Sequence, residues 1–254
     1  MAVLNITPDS FSDGGRFIAP ESALAQARRM IAEGADIIDI GAESTRPYGA
    51  EPISVDEELK RLQPILADVV SLGIPISIDS MKSAVVAWAL DAGATIANDV
   101  WGLQHDPGMA RLLAARNCPV VIMHNRDHAD AGIDIMEDIS AFFARSLDIA
   151  AKAGISRENI VLDPGIGFGK TPEQSMTAIA RLDQLGTFGL PLLVGASRKR
   201  FISTVAPSEP HQRLGGSIAA HLIAARAGAR IIRTHDVPET VQALRVATAI
   251  WNRE

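Results

Sequence analysis

The sequence predicts an α/β fold, a single (β/α)8 TIM barrel, with eight parallel strands inside and helices outside, and with long βα loops 1, 2 and 7. Three observations carry that expectation. Short apolar, β-branched runs recur at residues 2–6, 36–40, 74–78, 95–100, 119–123, 159–162, 191–194 and 230–233. Several show no apolar–polar alternation, as strands buried on both faces require. Longer stretches with helical periodicity separate them, and strict β-then-α alternation repeated eight times favours a closed barrel over an open doubly wound sheet.

The elements follow in order. After the first strand, Leu24, Ala27, Met30 and Ile31 share one helical face. Leu59, Leu62, Ile65, Leu66 and Val69 do the same after the second. Ser54 with Glu57, and Thr171 with Gln174, have the spacing of capping boxes that open helices. Gly34, Gly73, Gly93, Gly154 and Gly228 each stand just before a strand, where a helix stops. Residues 7–19, 41–53 and 197–212 are longer than barrel loops need and are rich in Gly, Ser, Asp and Pro, the pattern of binding loops or lids. The whole chain, 1–254, reads as one domain, with no linker, sequence repeat or low-complexity stretch.

Composition narrows the class. Hydrophobic residues make up 47% and charged residues 21%, a globular balance that argues against disorder. The net charge of −6 argues against general nucleic-acid binding, which wants a broad basic face. Lys170, Arg198, Lys199, Arg200 and Arg213 nonetheless form a local cationic concentration suited to a small anion, or to a solvated surface. No apolar run is long enough to span a bilayer, so no membrane partner is expected. The single cysteine, Cys118, suits a reducing cytoplasm, and the first residues lack the basic-then-apolar pattern of a signal peptide.

A barrel builds its chemistry where strands end. Those positions hold Asn5, residues 43–46 (ESTR), Asp79, Asn98 with Asp99, His124, Asp163, residues 197–199 (SRK), Arg233 and His235. Such polar groups beside a core are costly unless bonded to each other, to water or to a ligand. Residues 165–171 (GIGFGKT) look like a phosphate-binding P-loop, but Pro164 occupies the place of its first glycine. Residues 195–199 (GASRK) are not a nucleophile elbow, and His124, Asp127 and His128 match no zinc spacing. Cys118 opens a buried strand and reads as packing; Trp88 and Trp251 read as core or interface.

Taken together, residues 3–15 (VLNITPDSFSDGG), 43–47 (ESTRP), 77–80 (SIDS), 98–99 (ND), 163–170 (DPGIGFGK), 197–199 (SRK) and 233–235 (RTH) resemble the dihydropteroate synthase family, in order and over essentially the whole chain. The resemblance implies a reaction of folate synthesis in which 7,8-dihydropterin-6-ylmethyl pyrophosphate and 4-aminobenzoate give 7,8-dihydropteroate and pyrophosphate. It also implies a sulfonamide target. By the family pattern, Asp79, Asn98, Asp163, Lys199, Met123 and Phe168 hold the pterin. Asn5, Arg46, Arg233 and His235 hold pyrophosphate, Asn5 also placing Mg²⁺. Thr45, Arg46, Pro47, Phe168, Ser197 and Lys199 hold 4-aminobenzoate, beneath a loop carrying Phe11 and Ser12. Lys199, Asp79 and Arg233 are the catalytic positions. Family precedent implies loss of pyrophosphate before amine attack, which needs no strong general base.

Two departures stand out. Ala42 occupies a position that is commonly glycine, and Tyr48 is an extra residue after Pro47, beside the expected aminobenzoate pocket or on a solvent-facing loop. A corrinoid-dependent methyltransferase would share the pterin barrel but need neither the ESTRP nor the SRK segment. A catalytically silent binding protein is the other alternative. The family is typically homodimeric, and residues 216–227 or the Val241, Leu244, Trp251 face are candidate contacts, or ordinary barrel packing.

Overall fold

The computed structural model describes residues 1–6, 20–43 and 52–253. Eight strands form one sheet: β1 (Ala2–Asn5), β2 (Ile38–Gly41), β3 (Ile76–Asp79), β4 (Ile96–Asp99), β5 (Val120–Met123), β6 (Ile160–Asp163), β7 (Leu192–Val194) and β8 (Ala229–Ile232). Each is hydrogen-bonded in parallel to the next in chain order. A parallel bridge between Ala2 and Thr234 joins β8 to β1. The Met1 amino group adds a bond to the Ile232 carbonyl at 2.9 Å. The barrel is closed.

The strand positions agree with the sequence reading to within one or two residues. The shift has a consistent direction for β2, β3 and β6, which run one residue further, to Gly41, Asp79 and Asp163. Parallel pairing continues through these polar ends, with Gly41 opposite Asp79 and Met123 opposite Asp163. The carboxylates therefore stand on the rigid barrel wall.

The helices are α1 (Pro20–Ala32), α2 (Val55–Leu62), α3 (Leu66–Val70), α4 (Ser83–Asp91), α5 (Met109–Ala115), α6 (Ile135–Ala153), α7 (Pro172–Ala180), α8 (Arg200–Val205), α9 (Leu214–Arg226) and α10 (Val237–Trp251). The periodic face expected after the second strand is shared by two helices, α2 and α3, with a turn at residues 63–65 around Pro64, which has no N–H to continue the ladder. Leu62, Ile65, Leu66 and Val69 are buried on both sides of that break.

Thr171 and Gln174 form a reciprocal capping box at the start of α7. Ser54 accepts from the Glu57 N–H, but the Glu57 carboxylate takes Arg61 at 2.9 Å, so only half of that box forms. The five predicted glycine stops all adopt left-handed φ angles. Gly154 shows why: at φ 88° it closes α6 and turns the chain towards β6, a conformation that costs side-chain-bearing residues energy.

One loop expectation is corrected. Residues 197–212 contain α8 and a 3-10 turn at Pro210–Gln212. Phe201 and Ile202 bury themselves, and Ile202 packs so closely on Gly216 that a Cβ there would lie 2.4 Å from its methyl carbon. Hydrophobic contact with α9 thus stabilises a six-residue helix that its own length would not.

Candidate functional site

The strand ends and the loops after them meet in one cleft of about 1020 Å³, lined among others by Asn5, Asp79, Ser197, Lys199, Arg233 and His235. A recess below it is lined by Asn98, Met123, Asp163 and Phe168, and also by Asp79, Lys199 and Arg233. Ten sequence-predicted residues from seven strands and their loops are brought together. Thr45, Arg46, Pro47, Tyr48, Phe11 and Ser12 lie outside the described residues.

Arg233 organises the floor. Its Nε donates to Asp39 Oδ2 at 2.7 Å and an Nη to Asp79 Oδ2 at 2.8 Å. Asn98 donates its amide to the same Asp39 oxygen at 3.1 Å. Asp39 was not singled out from sequence. It lies inside a strand, away from the polar strand ends, and the available signal was a carboxylate within an otherwise apolar buried run.

Several acceptors on this floor have no donor among the described residues: Asp79 Oδ1, Asn98 Oδ1 and Asp39 Oδ1, all buried. Orphaned buried acceptors are expensive. Burial, then the Asp39 charge, raises the Asp79 pKa, while Arg233 opposes the shift. Burial raises Asp163 to about 6, partly offset by the Gly165 N–H that donates to its Oδ1 at 2.7 Å. Both carboxyls sit where a donor-rich ligand would draw them into the charged form.

Phe168 and Lys199 form the wall, with the ammonium 4.0 Å from the ring centroid. This is a cation–π contact. Ser197 Oγ accepts from the His235 backbone N–H at 3.2 Å and shares a 3.0 Å hydrogen bond with His235 Nδ1. Burial, then Arg233 and Arg198, lowers His235 to about 3, so its ring is neutral near pH 7.

Between Ser197 and Lys199 the backbone is unusual. Arg198 has φ 59°, and both nitrogens of its guanidinium edge pair with Asp236. Its N–H donates to Ser217 Oγ at 2.9 Å, and its carbonyl accepts from Arg213 at 3.0 Å. Four contacts hold a conformation that a free arginine avoids.

Other strand-end groups serve structure. Asp99 accepts from the N–H groups of Trp101 and Leu103, bracing the turn after β4. Glu43 accepts from the Ile53 N–H at 3.1 Å and pairs with Lys82 at 2.6 Å, which also reaches buried Glu58. His124 is bonded at both ring nitrogens, to Lys170 and to Asp138. No three His, Cys, Asp or Glu side chains cluster as a metal cage among the described residues. Cys118 is buried and its thiol is pushed up to about 11, far from a nucleophile's range. Trp88 packs against the core, and Trp251 lies under Arg226 at 5.5 Å.

Known proteins resemble this chain over nearly its whole length. Residues 1–235 match the profile of the family described as pterin binding enzyme. The dihydropteroate synthase of Bacillus subtilis (strain 168) is 43% identical over 254 residues, covering 100% of this chain and 88% of that protein. A solved dihydropteroate synthase from Clostridium difficile, determined in the presence of pteroic acid, superposes with a TM-score of 0.94. It is 46% identical, and the match covers 98% of this chain and 95% of that one. The Xanthomonas albilineans dihydropteroate synthase with 4-aminobenzoic acid gives a TM-score of 0.94 at 42% identity, over 98% of this chain and 92% of that one.

Proposed function

This chain belongs to the pterin binding enzyme family and has dihydropteroate synthase activity, and we propose how its residues divide that work. The reaction joins 7,8-dihydropterin-6-ylmethyl pyrophosphate to 4-aminobenzoate and releases pyrophosphate. One observation carries the assignment of the recess: buried Asp79 Oδ1 and Asn98 Oδ1 have no donor among the described residues, beside Asp163 and the Lys199 ammonium. A pterin edge offers an amino group and a ring N–H to such acceptors and a carbonyl to such a donor. Met123 would pack on the ring face.

Pyrophosphate belongs above, in the cleft. Arg233 spends two donors on Asp39 and Asp79, which leaves its remaining N–H groups for the anion. His235, Asn5 and the N-terminal end of α10 complete this half of the site. Arg46 would join them. The donor set suits Mg²⁺ carried in on the pyrophosphate, since Asn5 supplies one oxygen and water and phosphate can supply the rest. Among the described residues no cluster of three His, Cys, Asp or Glu offers an all-protein cage.

The C–O bond to pyrophosphate breaks, the pterin methylene becomes cationic, and the arylamine nitrogen closes the new C–N bond. The proton it loses can leave with pyrophosphate, the stronger base. Phe168, Ser197 and Lys199 would place 4-aminobenzoate, together with Thr45 and Pro47. Positioning and anion stabilisation do this work without a dedicated base.

We also read the protein as a cytoplasmic homodimer. Ile223 on α9, with Val246 and Ile250 on α10, is more than half exposed and supplies an apolar contact face. Val241 and Leu244, the alternative from sequence, pack against the core instead. Pyrophosphate release on mixing both substrates tests the function. Release sustained over many turnovers only with 4-aminobenzoate is expected, and its absence at saturating substrate would overturn the reading.

A further inference from the structure

The glycine-rich 165–171 segment resembles a phosphate loop, yet the ammonium of its lysine is bonded to His124 and to two carbonyls of the turn itself. Lys170 is 6% exposed. Its ammonium lies 2.6 Å from His124 Nδ1, 3.0 Å from the Gly165 carbonyl and 3.2 Å from the Phe168 carbonyl. Three acceptors match the three protons of an ammonium. His124 stays neutral, since burial and then the Lys170 charge drive its pKa down to about 2. Because Nδ1 accepts from Lys170, the ring proton sits on Nε2 and donates to Asp138 Oδ2 at 3.0 Å. Burial lowers Lys170 itself to about 7, and the nearby Asp163 and Asp138 charges counter that tendency.

The turn needs such a clasp. Gly165, Gly167 and Gly169 all have positive φ, so this stretch gains little from its own backbone preferences. At Gly165 a Cβ would stand 2.0 Å from the His124 carbonyl oxygen, which brings the turn directly onto the end of β5. Phe168, the side chain this turn presents, forms the wall with Lys199. Asp163 depends less on the turn, because it is paired within the barrel opposite Met123.

We propose that Lys170 is a positioning residue that, through the turn carbonyls it binds, holds the Phe168 ring against Lys199, and so sets the affinity for the arylamine substrate. The inference rests on the reading that Phe168 and Lys199 receive 4-aminobenzoate. Lys170→Met keeps the stem and removes every donor. It should raise KM for 4-aminobenzoate about ten-fold or more, and KM for the pyrophosphate substrate by clearly less, since Asp79, Asn98 and Asp163 also line the recess that takes its ring. Acting through Phe168, the effect should vanish in a Phe168→Leu background, so the double variant should match Phe168→Leu alone.

A fully additive double variant would overturn the proposal, as would a fall in kcat with both KM values unchanged. Lys170→Gln, which retains two amide protons, provides the same cycle if Lys170→Met does not fold. Failure of both to fold would assign Lys170 to the fold itself and overturn the positioning role. Wild-type protein that released no pyrophosphate would instead remove the functional reading beneath it.

Discussion

Arg233 Nε lies 2.7 Å from Oδ2 of Asp39, a carboxylate with no exposed surface, 194 positions away in sequence. The pair ties β2 to the end of β8 across the barrel interior, and Asn98 shares the same oxygen. Asp39→Ala would leave the guanidinium with Asp79 alone and strand the Asn98 amide. Removing one partner of a buried pair typically costs about 3–5 kcal/mol, and the surviving Asp79 contact puts this case near the lower figure. A fall in melting temperature of roughly 6–12 °C should follow, with loss of turnover. A variant that melts with the wild type would show that the pair contributes nothing net.

Asp163 offers a cleaner test of binding, because burial already holds its pKa up at about 6. Asp163→Asn preserves shape but replaces acceptor capacity with an unwanted donor. Losing a charge-assisted contact should weaken binding of a pterin without phosphates by roughly 1.5–3 kcal/mol, about 10- to 150-fold in Kd. Titration calorimetry measures this directly, and an unchanged Kd would remove Asp163 from the pterin contacts.

How much of this could be read from the chain depends on which interactions are local. Helix stops at glycine were legible because a left-handed residue is a property of one position. Asp79, Asn98, Asp163 and Arg233 were legible because barrel topology places strand ends together whatever their sequence separation. Asp39 was hidden, since its value comes from Asn98 and Arg233, which only the closed barrel brings to it. α8 was hidden for a related reason. Two apolar residues, Phe201 and Ile202, cannot announce a helix, and the surface that stabilises them belongs to α9.

His221, buried on α9, has no partner at either ring nitrogen among the described residues. Burial lowers its pKa to about 4, with the Asp236 charge opposing. The unfolded chain protonates this ring below about pH 6.5, the folded protein only below about 4, so acid favours unfolding across that window. The contribution is of order 2 kcal/mol at pH 5 and is absent at pH 8. His221→Leu should therefore gain about 2 kcal/mol over the wild type at pH 5 relative to their difference at pH 8, by urea unfolding. His124 and His235 titrate in the same direction and Asp79 and Asp163 against it, but these are common to both proteins and cancel in the difference. A difference that does not change with pH would mean that the ring ionises in place.

Arg198 tests whether the unusual backbone between Ser197 and Lys199 is held from outside. At φ 59° the residue sits in a region costing a non-glycine residue roughly 1–2 kcal/mol, and the paired contact with Asp236 compensates. Arg198→Ala loses the pair and keeps the cost. Arg198→Gly loses the pair and removes the cost, although a more flexible unfolded chain returns some of the gain. Glycine should therefore be the more stable variant, by about 1 kcal/mol. Because the loop would keep its path with glycine, Ser197 should still meet His235, and turnover should fall less than with alanine. Asp236→Asn separates the remaining possibility, since it weakens the pair while leaving the arginine and its strain in place. It should resemble Arg198→Ala in activity. If alanine and glycine variants prove equally stable and equally active, the left-handed backbone at 198 carries no cost that Asp236 needs to offset.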